Sequence, residues 1–139
     1  MPIYMQLTIS ATDQLPAVQL IAFTETIGNT DTFGSATGGK VTASPLLVTM
    51  GYEAVIPLLL SSSATGRLLP AVQFTFKGSA NDTYPAMIIT LTNAIISSVT
   101  LGAVGLPPGV EMAFIYEKIE IQSINLTTGG TIEDATIEI

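Results

Sequence analysis

Histidine, cysteine and tryptophan are all missing from these 139 residues. Without histidine the chain lacks the commonest general base, the usual partner of a nucleophilic serine and the commonest metal ligand. Without cysteine it has no disulfide, no thiolate nucleophile and no thiolate metal site, and nothing marks its redox compartment. Tryptophan's absence, with only four scattered tyrosines, argues against a monomeric β-sandwich that stacks sugars on exposed aromatics. Positive charge is scarce too. Lys40, Arg67, Lys77 and Lys118 stand against 11 carboxylates, for a net charge of −7, which repels phosphate backbones and anionic lipid and excludes a nucleic-acid partner. The start, Met1-Pro2-Ile3-Tyr4-Met5-Gln6, has neither a basic region nor a long apolar one, so no cleavable signal peptide is read there.

What is present is apolar. Hydrophobic residues make up 47% of the chain and charged residues 11%, where soluble domains carry about a quarter charged; the mean hydropathy is +0.56. Such a surplus belongs in a membrane or in contacts between subunits. The longest uncharged run, Thr83 to Val110, is long enough to cross a bilayer. Thr90, Thr92, Asn93, Ser97, Ser98 and Thr100 interrupt it, and Gly102, Gly105, Pro107, Pro108 and Gly109 would break a spanning helix. No stable membrane insertion is expected, which leaves contacts between copies.

A chain of this length needs only one core, and its patterning is mostly that of strands. Ile3 to Ile9 alternates cleanly, Ile3, Met5, Leu7 and Ile9 against Tyr4, Gln6 and Thr8. Ala17 to Glu25 is β-prone with looser alternation. Gly28 to Lys40 holds four glycines and little that is apolar beyond Phe33, so it reads as a long exposed loop and a candidate contact arm. A β pattern resumes from Val41 to Met50. Next comes the one helix candidate, about residues 56–65: Pro57 suits its first turn, Gly66 the left-handed position after its last, and Leu58, Leu59 and Leu60 would have to pack it down. Ala71 to Lys77 and Ala86 to Thr92 flank a polar turn at Gly78 to Asp82, as in a hairpin. Ala94 to Thr100, a loop from Gly102 to Gly109, a strand from Met112 to Ile121 and a short one from Ile132 to Ile139 complete the pass. Strands at this spacing with one short helix predict a mainly β fold, a small barrel or two-sheet sandwich.

Catalytic chemistry has few candidates. Glu111, Glu117 and Glu120 lie near one another, but Glu117 and Glu120 fall on opposite faces of a strand. Asp13 with Asp31, or Asn81 with Asp82, lacks the spacing of a calcium loop. Gly34 to Lys40 departs from a phosphate loop because Val41 follows Lys40. The sequons Asn81-Asp82-Thr83 and Asn125-Leu126-Thr127 carry little meaning without export through a glycosylating route. No catalytic residue, metal or cofactor is assigned. Arg67, the single arginine, follows the helix: it complements the helix dipole or makes an intersubunit contact.

Four stretches in order resemble the haemolysin-coregulated protein family, Hcp, of type VI secretion systems. Val18 to Asn29 is similar to the family's second strand. Ile56 to Leu68 is similar to its short helix, with a Gly-Arg ending at Gly66-Arg67; Tyr84 to Val99 to its Ile-x-Leu-x-Asn strand pair; and Glu111 to Ile119 to its Glu-led strand that closes on Lys-Ile. Departures are the Gly51-Tyr52-Glu53-Ala54-Val55 segment, where the family carries an aspartate, a short first loop from Ser10 to Pro16, and the missing acidic, histidine-bearing stretch after the first strand.

The resemblance implies one tube-forming domain over 1–139, a barrel-like fold with one helix, six copies closing a ring, and rings stacking into a hollow tube. Sheath, spike and effector proteins would be its partners, and it would leave the cytoplasm inside a contractile sheath without a signal peptide. Ring closure would cover strand edges such as Met87 to Leu91. Asn29, Thr30, Asp31, Thr32, Phe33 and Lys40 are the candidate ring-stacking residues, and Arg67 the candidate intersubunit contact. A tail-tube protein of a phage or of an extracellular contractile injection device fits the same residues.

Overall fold

A computed structural model describes residues 2–10, 12–29, 41–79, 81–102 and 109–139. Along the chain lie β1 (Ile3–Ser10), β2 (Asp13–Gln14), β3 (Val18–Thr24), β4 (Ile27–Asn29), β5 (Val41–Ala43), β6 (Leu46–Gly51), α1 (Ile56–Thr65), β7 (Leu69–Phe76), β8 (Met87–Gly102), β9 (Gly109–Ile124) and β10 (Thr131–Glu138). The alternation read in Ile3 to Ile9 does bury Met5 and Leu7, and that in Ala71 to Lys77 buries Val72, Phe74 and Phe76.

All strand pairs are antiparallel. In the order β9–β6–β3–β1–β7–β8, with β8 returning to β9, six strands close a barrel, which removes most sheet edges. β2 adds to β1, and β10 extends the wall beyond β9. β9 serves two partners along one side: Gly109 to Phe114 pair with β6, and Lys118 to Ile124 with β10. The interior is filled by side chains. Phe74 meets Phe23 edge-on at 5.0 Å and Phe114 at 6.1 Å, and Phe23 meets Phe76 at 5.1 Å, the T-shaped geometry that aromatic quadrupoles favour.

β8 is one strand of 16 residues, where the sequence suggested two. Leu91 and Ala94 are both fully buried although residues three apart in a strand face opposite ways. The pleat reverses between them at Asn93, whose φ of +53° makes it the one non-glycine residue at positive φ among the described residues. β9 reverses in step: Ile119 lies opposite Leu91 and Tyr116 opposite Ala94, and both pack into the core. The Asn93 side chain holds the site from outside, donating from Nδ2 to Glu117 Oε2 at 2.9 Å.

The helix falls where it was expected. Pro57 sits in its first turn, and Gly66 closes it at φ +64°, with the Gly66 and Arg67 N–H groups donating to Ser63 and Ser62 carbonyls, the pattern that satisfies end carbonyls. Of the leucines expected to pack it down, Leu59 is buried with Ile56 and Ser62 and Leu60 packs partly against the core, whereas Leu58 is half-buried and outside that cluster. Two further corrections concern the chain around the long loop. Val41 to Met50 is two strands, separated at Ser44-Pro45, and the loop assigned to 28–40 begins later, because Gly28 and Asn29 pair with Thr42 and Val41 in a small β4–β5 ribbon.

Candidate self-assembly surfaces

The β4–β5 ribbon is a two-stranded sheet of its own, joined among the described residues to no barrel strand by backbone pairing. Among the described residues three residue pairs hold it together, too few for an isolated hairpin to persist in water. At its base stands Glu25. Oε1 accepts the Thr26 N–H at 2.6 Å and the Ser44 hydroxyl at 2.8 Å, and Oε2 accepts the Tyr116 hydroxyl of β9 at 2.6 Å. Burial first, then the bond to Glu25 and its negative charge, keep the Tyr116 phenol protonated well above the ordinary phenol range.

Of the stacking candidates, Asn29 is the last residue of β4, while Thr30, Asp31, Thr32, Phe33 and Lys40 lie outside the described residues, as does the glycine-rich run up to Lys40 and most of the loop from Gly102 to Gly109. Arg67 is exposed just past α1, and its backbone, rather than its side chain, completes the helix end. The three glutamates do not converge. Glu111 borders a groove of about 270 Å³ with Leu47, Thr49, Ser98 and Thr100; Glu117 binds Asn93 beside a separate groove of about 410 Å³ shared with Lys118 and Glu138; Glu120 sits between Thr90 and Thr136. Asp82 is occupied locally, accepting the Ser79 N–H and hydroxyl at 2.9 and 3.2 Å. Asn125 Oδ1 accepts the N–H groups of Thr127 and Thr128 and so shapes the turn before β10.

The barrel wall has two outer faces of different chemistry. Across β1, β7, β8, β9 and β10 run polar rows, Gln6-Gln73-Thr90-Glu120-Thr136 and Thr8-Ala71-Thr92-Lys118-Glu138. Across β3, β6, β9 and β8 the rows are Thr24-Leu47-Ala113-Ser98 and Ala22-Thr49-Glu111-Thr100, small side chains with one charge among them. Leu47 is 52% exposed there, Ile115 beside it 44% and Ile21 67%.

This second sheet is also open at both sides. β3 pairs with β1 only from Val18 to Leu20, and β8 pairs with β7 only as far as Ala94. Ala22 to Thr24, paired with β6, and Ile95 to Gly102, paired with β9, therefore have no second strand on their outer sides among the described residues. Met87 to Leu91, read from sequence as an edge needing cover, is already flanked by β7 and β9. Open edges of the barrel wall include the later half of β8, the end of β3 and the outer side of β10. Among the described residues no helix is long and apolar enough to cross a membrane.

Comparison with known proteins decides the family. The family model described as type VI secretion system effector, Hcp, matches residues 12–122. The chain belongs to the Hcp family. Solved structures similar to it include a type six secretion system protein, with a TM-score of 0.83 and 19% identity over 99% of this chain and 95% of the other. The secreted protein Hcp3 of Pseudomonas aeruginosa gives 0.76 and 17%, covering 99% and 97%, and a type VI secretion system effector from Yersinia pestis 0.75 and 18%, covering 99% of both. Identities this low speak for a shared fold, and the six-stranded barrel with its short helix is that Hcp fold. Curated proteins provide no match.

Glu25 and Tyr116 were not singled out in the sequence. They are 91 positions apart, and neither has a residue type or a spacing that marks a partnership.

Proposed function

We propose that this Hcp-family chain is a tube subunit of a type VI secretion system, built to join copies of itself. Six copies close a ring, and rings stack through the segment carried on the β4–β5 ribbon, with Asn29, Thr30, Asp31, Thr32, Phe33 and Lys40 at the contact. The tube assembles in the cytoplasm and leaves inside a contractile sheath, with sheath, spike and effector proteins as its partners. The observation that carries this reading is the pair of open edges on the sheet β3–β6–β9–β8.

These edges lie on opposite sides of one sheet, so they suit a head-to-tail contact, the kind that closes rings. The sheet has four strands in alternating directions. An even number means that β8 of one copy, rotated about the ring axis, meets β3 of the next antiparallel, which repeats the pairing inside each subunit. Bare backbone groups on Ala22 to Thr24 and Ile95 to Gly102 then gain partners, and Arg67 is left to contact a neighbour across the ring.

Size-exclusion chromatography with light scattering should give a species six times the 14.5 kDa chain; a chain that stays monomeric at high concentration overturns the reading. Deleting residues 30–39 should leave that ring mass in place and abolish tubes in electron micrographs. Loss of the ring instead would move this segment from the stacking contact to the lateral one.

A further inference from the structure

We propose that Glu25 is a positioning residue: its carboxylate ties the β4–β5 ribbon to the barrel wall and so sets the direction in which the stacking segment leaves the ring. The proposal rests on the stacking role given above to the segment that the ribbon carries.

The mechanical problem comes first. The ribbon is attached to the barrel by two chain links, Glu25-Thr26 entering and Ser44-Pro45 leaving, and among the described residues pairs with no barrel strand. Pro45 fixes its own φ and stiffens one link. The Ser44 N–H donates to the Thr26 carbonyl at 3.1 Å, which ties the links to each other but not to the wall. Ile27 packs partly on the core, a contact without direction. A ribbon held only this way would swing about its base, and every ring-to-ring contact would have to overcome that freedom.

Glu25 supplies the missing constraint. Its carboxylate, standing on the entering link and held locally by the next N–H, that of Thr26, gathers the Ser44 hydroxyl from the leaving link and the Tyr116 hydroxyl from the wall. Bonds to an ionised acceptor are the stronger and more directional kind. Tyr116 is itself rigidly placed, packed against the core at the pleat reversal between the part of β9 that pairs with β6 and the part that pairs with β10. The entering link that carries Glu25, the leaving link and the wall thus meet at one carboxylate, which fixes an orientation as well as a position.

The test uses the full chain with Glu25→Ala, Glu25→Gln and Tyr116→Phe, the last two keeping shape where Glu25→Ala does not fold. Amide hydrogen exchange, ring mass and the critical concentration for tubes are measured together. In the Glu25 variants the Thr26 amide, which donates to Glu25, should exchange at least about tenfold faster, the loss expected for a hydrogen bond to a charged group. The Ser44 amide, which donates to the Thr26 carbonyl, should exchange faster as the two links loosen, while β6 and β9 amides and ring mass stay as they were. The critical concentration for tubes should rise at least about fivefold. Tyr116→Phe should move both readings the same way by less, and Glu25→Ala/Tyr116→Phe should be no worse than Glu25→Ala alone.

Exchange at Thr26 and Ser44 that stays at the wild-type rate overturns the tie. Faster exchange with unchanged tubes overturns its link to stacking. Tubes that survive deletion of residues 30–39 sink the stacking role itself, a result separable from the exchange data on Glu25.

Discussion

At Asn93 a single backbone angle decides which way two strands face. Positive φ costs an ordinary L-residue roughly 1–2 kcal/mol, and asparagine visits that region more readily than most. Here it also hydrogen-bonds Glu117 across the strand pair, so the residue that permits the reversal also fastens it. Without the reversal, Leu91 and Ala94 could not both be buried, and half of β8 would turn its apolar side to water. Asn93→Val, with a branched Cβ that resists this conformation, should lower stability by about 2 kcal/mol. Asn93→Gly should lose only the side-chain bond and cost under about 1 kcal/mol. Urea midpoints at unchanged slope would measure both; equal losses in the two variants would show that the side-chain bond, and not φ, is what matters. The same reversal explains why the sequence suggested two strands: period-two reading breaks wherever the pleat changes phase, and one asparagine does not announce it.

Among the elements, alternation was legible where a strand keeps one face on the core throughout, as β1 and β7 do. It was less so where a strand changes partners. β9 runs past Met112 to Ile121 at both ends because it continues from β6 to β10, and β2 is two residues long, too short for any pattern. The ends of α1 could be read from Pro57 and Gly66, since both residues have a local backbone reason to be there. Its buried face could not, because three consecutive leucines make every rotation look alike and only the barrel wall selects Leu59. The two positions should therefore respond differently. Leu59→Ala should cost about 2–5 kcal/mol and Leu58→Ala no more than about 1, read from thermal or denaturant unfolding. Comparable losses would mean that the helix is seated on a different face. The candidate site followed the same division: the glycine-rich segment stood out by composition, whereas the Glu25 anchor at its base exists only once β3, β5 and β9 have folded together.

On the scale of the whole molecule, the shortage of charge and the excess of acid pull assembly in opposite directions. The sheet β3–β6–β9–β8 offers side chains that are uncharged apart from Glu111, and bare edges, a surface that gains by being covered. Each added copy nevertheless brings a net charge of −7, and like-charged subunits repel over distances that salt shortens, from about 30 Å at 0.01 M to about 8 Å at 0.15 M. Ion pairs could reverse the sign of that effect, since salt weakens them. With four basic residues against 11 acidic ones, and Lys118 already lying between Glu138 of β10 and Thr92 of β8 in its own wall, few cations are left to build such pairs at a joint. Repulsion should dominate. Raising salt from about 0.01 M to about 0.15 M should therefore shift the light-scattering mass upward at fixed protein concentration, and tubes should form at lower concentration. A mass that falls as salt rises would mean that the joint between copies is made of ion pairs, with Arg67 the first residue to substitute, and that the uncharged sheet edge is not what holds the ring together.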